Sequence, residues 1–106
     1  MVIGMTTLDE ILRTLEENRD RIKAYGVRAL GVFGSVVRGE AGADSDLDFL
    51  VELENETFRA YMGLKFYLED LFGRKVDLVL SDTIKPSFRD TILSEVRYAE
   101  GFQGVP

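Results

Sequence analysis

The chain has 106 residues, 45% of them hydrophobic, so it carries one core and reads as a single domain over residues 1–106 that buries roughly two thirds of its unfolded surface. It contains neither cysteine nor histidine, which excludes disulfide staples, thiolate or imidazole metal sites and histidine acid–base chemistry; any metal must take oxygen ligands, as Mg²⁺ or Mn²⁺ does. A net charge of −6 argues against a broad nucleic-acid footprint, which needs surplus Lys and Arg.

No apolar run approaches the ~20 residues that span a bilayer, and the N-terminus lacks a basic flank followed by an apolar leader. The expected location is the cytoplasm, with no membrane partner.

Thr7-Leu8-Asp9-Glu10 has the form of a capping box and predicts a helix, with Leu8, Ile11, Leu12, Leu15 and Ile22 on one stripe and Gly26 at its end. Val27 to Phe33 is β-branched, aromatic or small, and predicts a strand that stops at Gly34-Ser35. Ser35 is expected to cap a short helix through Val36, Val37 and Arg38. The free amides of that first turn would then make the Gly34-Ser35 corner an anion site.

After Gly39 and Gly42 a second strand runs from Asp46 to Leu53, with Ser45 and Asp44 shaping the turn before it. Alternation puts Asp46 and Asp48 on one face and Leu47, Phe49 and Val51 on the other. Two carboxylates roughly 6.6 Å apart along the backbone, at about 3.3 Å per residue, can converge on a hard cation. The plainer alternative is an edge strand whose acids face water.

Thr57 is expected to cap a helix whose apolar stripe includes Phe58, Tyr61, Met62, Leu64, Leu68, Leu71 and Phe72, closed by Gly73; its aromatics read as core rather than as a base-stacking platform. A third strand follows through Asp77, then a Ser81-Asp82 turn. A last helix starts near Pro86 and carries Phe88, Ile92, Leu93, Val96 and Ala99 before Gly101. Phe102 to Pro106 fits an edge strand, a partner contact or a frayed end equally well.

The order is α-β-α-β-α-β-α, an α/β fold with a small sheet. Gly34-Ser35, ten residues, then Asp46-x-Asp48 at the head of an apolar strand resembles the signature of the minimal nucleotidyltransferases (MNT) of the DNA polymerase β superfamily, and most closely the small MNT-domain antitoxins. The likeness spans about residues 25 to 100. It implies a mixed, palm-like sheet packed with helices, and a third catalytic carboxylate in a Val-Asp-Leu setting, which Asp77 supplies.

The resemblance also implies a distribution of tasks. Gly34 and Ser35 would hold the β- and γ-phosphate oxygens of ATP. Asp46 and Asp48 would hold Mg²⁺, with Asp77 completing a second metal position and Mn²⁺ able to substitute. Arg38 is either a phosphate clamp or a surface cation beside Glu40. No second domain is present to hold an acceptor, and the family pairs with a helical HEPN protein, whose tyrosine hydroxyl would accept AMP and so be neutralised.

Two rivals remain at this level. One is a module that neutralises its partner by contact alone; the other is a small-molecule, antibiotic-type nucleotidyltransferase completed by an oligomer. The base preference, the number of nucleotides added, and the choice between a homodimer and a larger hetero-complex are not legible in the sequence.

Overall fold

The computed structural model describes residues 7–42 and 45–102. Thr7 caps α1 (Leu8–Glu17): its hydroxyl accepts the Glu10 amide at 3.2 Å and donates to the Glu10 carboxylate at 2.7 Å. The capping box works as expected, but the helix does not run unbroken to Gly26. Asn18 leaves helical geometry at φ −110°, ψ 18°, and α2 (Arg19–Lys23) follows as a separate turn. The Asn18 side-chain amide donates to the Thr14 carbonyl at 2.9 Å, competing with the backbone for a helical acceptor. Ile22 still reaches the core.

Four strands form the sheet, in the order β3-β2-β1-β4: β1 (Val27–Phe33), β2 (Leu47–Leu53), β3 (Val76–Leu80) and β4 (Arg97–Tyr98). β1 is antiparallel to β2 and β4, whereas β2 and β3 are parallel, so the sheet is mixed as the resemblance implied. Parallel neighbours need a long crossover, and α3 (Phe58–Phe72) provides it. Thr57 accepts the Ala60 amide at 3.1 Å to start α3, and Gly73 ends it in left-handed geometry.

One apolar core lies between the sheet and the helices: Leu30 and Val32 of β1, Leu47, Phe49 and Val51 of β2, and Leu64, Leu68 and Phe72 of α3 join Ile11, Leu15 and Ile22. The Phe49 and Phe72 rings meet at 5.7 Å between centroids. Phe58 does not join them, being 81% exposed, and Phe88 is 59% exposed. The buried stripe of α3 begins only at Leu64, so Phe58 extends past it, and α4 (Pro86–Glu95) buries no residue fully.

β4 is the element the periodicity hides. Ile92, Leu93, Val96 and Ala99 continue a helical spacing, but the helix stops at Glu95 and Val96 turns extended at ψ 140°. Val96 and Tyr98 then lie over Gly31. A Cβ at Gly31 would come within 2.6 Å of the Val96 side chain and 2.9 Å of the Tyr98 ring, so the bare glycine is what lets this segment pair with β1. Phe102 packs on the core beneath Lys23, whose ammonium lies 5.6 Å from the ring centroid; Gln103 to Pro106, like Asp44, fall outside the described residues.

Candidate active site

β1 ends in a sharp corner. Gly34 takes φ +83°, a backbone conformation that side chains other than glycine's adopt at a cost, and a tight turn over Gly34–Val36 follows. Ser35 is not the cap of a helix: it lies inside this turn, the cap position belongs to Phe33, and no side chain caps it. The physical reason is that the left-handed glycine itself redirects the chain. The Gly34 carbonyl accepts the Val37 and Arg38 amides at 3.1 and 3.3 Å, and the Ser35 carbonyl accepts the Glu40 amide at 2.8 Å.

Asp48 fills the space beside that corner. A Cβ on Gly34 would fall 2.1 Å from an Asp48 carboxylate oxygen, so the glycine is needed as much for its neighbour as for its backbone. Asp48 is paired in register with Asp77 across the parallel β2–β3 ladder, and the two side chains therefore stand next to each other on one face. Asp46 immediately precedes β2 and is exposed.

Partial burial, followed by the negative charges of Asp77 and then Asp46, pushes the Asp48 carboxyl above the usual carboxylate range; Arg38 opposes this and Glu95 adds to it. The site is thus rich in negative charge with one cation beside it. Among the described residues no three Asp, Glu, His or Cys side chains converge closely enough to hold one ion as they stand. Convergence of three is not required of Mg²⁺, which keeps waters and takes one or two carboxylates together with substrate phosphates. The donor set, all carboxylate, suits such an ion.

Two residues that sequence reasoning missed organise this edge. Arg74, after α3, donates to the Gly42 carbonyl at 2.7 Å and to the Ser45 carbonyl, tying down the loop that delivers Asp46. The Gly42 amide in turn donates to the Ser45 hydroxyl at 2.9 Å, so Ser45 does shape the turn. The second is Glu95, whose carboxylate accepts the Gly34 amide at 2.7 Å and the Arg38 guanidinium at 3.0 and 3.1 Å.

Arg38 is therefore more than a partner of Glu40, which it also contacts at 2.9 Å; Glu40 and then Glu95 hold the guanidinium firmly charged. No local signal in the sequence marks Glu95, because the helical spacing runs on past it to Ala99 and conceals the helix end. Nearby, the Tyr61 hydroxyl donates to the Leu78 carbonyl at 2.5 Å, and burial, then Asp77, raises its pKa.

A glycine corner, an adjacent cation and an in-register pair of strand aspartates meet at one edge of a mixed sheet. The sequence model of the nucleotidyltransferase domain matches residues 9–99. The chain belongs to that family. Among nucleotidyltransferases it is 43% identical over 98 residues to the protein adenylyltransferase MntA of Thermococcus cleftensis, an alignment that covers 91% of this chain and 99% of that one. A solved candidate minimal nucleotidyltransferase superposes with a TM-score of 0.65 at 40% identity, over 81% of this chain and 93% of the other.

The fold is shared further afield with a nucleotidyltransferase antitoxin from Shewanella oneidensis, solved in complex with a tri-AMPylated HEPN toxin. There the TM-score is 0.61 at 15% identity, over 89% of this chain and 73% of that one. No helix of the described residues is long and apolar enough to cross a membrane.

Proposed function

We propose that this nucleotidyltransferase, working as one domain over residues 1–106, transfers AMP from ATP to a tyrosine hydroxyl of a partner HEPN toxin and so acts as its antitoxin in the cytoplasm. The observation that carries the proposal is the in-register Asp48–Asp77 pair beside the Gly34 corner. The relationship to a protein adenylyltransferase over 91% of the chain supports AMP as the group transferred and protein as its acceptor.

In this reading the Gly34 and Ser35 amides, the Ser35 hydroxyl and the Arg38 guanidinium bind the β- and γ-phosphoryl oxygens. Asp46, Asp48 and Asp77 are the ligands for Mg²⁺, or for Mn²⁺ in its place. Bound there, the ion would neutralise phosphate charge and lower the pKa of the acceptor hydroxyl. The acceptor oxygen forms a bond to the α-phosphorus as the bond to the pyrophosphate oxygen breaks. Asp77, exposed on β3, takes the hydroxyl proton, and pyrophosphate leaves.

The partner presents its own tyrosine to the site. The net charge of −6 suits a partner with a basic, RNA-binding face, because opposite potentials speed encounter. Intact-mass spectrometry of the partner, incubated with ATP and Mg²⁺, tests the proposal. The wild-type chain should add whole AMP increments and Asp46→Asn should add none. Neutralisation of the partner that survives Asp46→Asn without any mass gain would make the chain a module acting by contact alone.

A further inference from the structure

Glu95 stands where its own helix disfavours it. It is the last residue of α4, no basic residue lies in that turn, and the helix dipole places partial negative charge at the same end. Its charge also adds to the crowd of carboxylates around Asp48. What holds it there is the donor set it has captured, one backbone amide at 2.7 Å and one guanidinium reaching both of its oxygens at 3.0 and 3.1 Å.

A backbone amide at a glycine corner together with an arginine is the donor set that recognises a phosphoryl oxygen. The carboxylate of Glu95 has the charge and oxygen geometry to sit in its place. We propose that Glu95 occupies the seat of a triphosphate oxygen in the free protein, and that ATP binds by displacing it. This rests on the reading above that Gly34 and Arg38 bind the triphosphate.

Displacement needs no movement of α4. The chain beyond Glu95 is fixed by Val96 and Tyr98 over Gly31 and by the pairing of Gly31 with Tyr98 and Val32 with Arg97. The Glu95 side chain keeps 18% of its surface exposed, so rotation about its own bonds opens a route to solvent. Once out, it leaves Gly34 N–H and Arg38 with phosphate as their anion. Glu95 thereby sets the threshold concentration at which the enzyme loads its nucleotide.

Calorimetric titration of ATP·Mg²⁺ into the wild type, Glu95→Ala, Glu95→Gln and Asp90→Asn tests this, with each protein's melting curve recorded to establish that it is folded. Asp90 is exposed on the same helix and controls for the loss of one negative charge. If the occluded state outweighs the open one about ten to one, both Glu95 variants bind ATP about tenfold more tightly than the wild type. Asp90→Asn should stay within about twofold, and AMP, lacking the β- and γ-phosphoryls, should show no gain. Glu95 variants that are folded but bind ATP no more tightly than wild type, or less tightly, overturn the occlusion and make Glu95 a residue that positions Arg38. A wild type that transfers AMP would meanwhile leave the proposed function standing. If no protein in the set binds ATP, both readings fall together.

Discussion

Asp48 and Asp77 stand side by side in the parallel register of β2 and β3, two acids on neighbouring strands with no basic residue paired between them. Like charges placed this way are unfavourable, and burial compounds the effect at Asp48. The arrangement costs the protein stability that a bound cation would restore.

The first prediction is a sign. Asp48 has a folded-state pKa above its unfolded value, so its contribution to stability is greatest below the unfolded carboxylate range and is lost as pH rises through the folded pKa. At neutral pH Asp48→Asn should therefore raise the melting temperature of the metal-free protein by roughly 2–4 °C, solvent screening keeping the gain small. The gain should vanish as pH falls below the carboxylate range. A variant less stable than wild type at pH 7 would contradict it.

Mg²⁺ should raise the wild-type melting temperature. At tenfold its dissociation constant the expected stabilisation is about 1.4 kcal/mol, a shift of several degrees. The double variant Asp46→Asn, Asp48→Asn should lose most of that response. Equal Mg²⁺ responses in the two proteins would remove these acids from the metal site.

Gly34→Ala should destabilise the fold as well as the ligand site, because the new methyl meets both a φ of +83° and the Asp48 carboxylate 2.1 Å away. We expect a loss of about 1–3 kcal/mol, read as a lower urea midpoint at unchanged slope. An unchanged midpoint would show that Asp48 moves aside freely.

Gly31→Ala should press on Val96 and Tyr98, costing about 1–3 kcal/mol by overpacking. Its signature is local: the Ala99 amide, which donates to the Leu30 carbonyl at 3.4 Å, should exchange faster with solvent than amides of β2. Uniformly faster exchange across the sheet would mean that β4 is not a separate unit.

Much of the site can be read in the sequence where the cause is local. The place of Asp48 follows from the two-residue period of a strand, although that strand starts at Leu47 and leaves Asp46 just ahead of it, and the Thr7 and Thr57 caps follow from side chains acting three residues away. The contact between Asp48 and Asp77 depends on which strands pair and in what register, a choice made across a separation of 29 residues and legible only through the family resemblance. Glu95 reaches Gly34 over 61 residues, beyond any local pattern. β4 is hidden because Ile92, Leu93, Val96 and Ala99 keep a helical spacing, and only the contact of Val96 and Tyr98 with Gly31 marks the change to an extended chain.

Asp77 lies on β3, at the outer edge of the sheet, whose far side pairs with no other strand among the described residues. Such rims invite sheet-to-sheet addition and aggregation, and natural proteins guard them with charge. Here the first amide of β3, from Val76, is covered by the Glu69 carboxylate at 3.1 Å, and Asp77 is the next charged group along the strand. The same carboxylate that would accept a proton during transfer also places a charge on this rim, the device that disfavours strand addition. Neutralising it to abolish activity would produce a chain more prone to self-association, and Asp46, held outside the ladder, is the cleaner position at which to silence the enzyme.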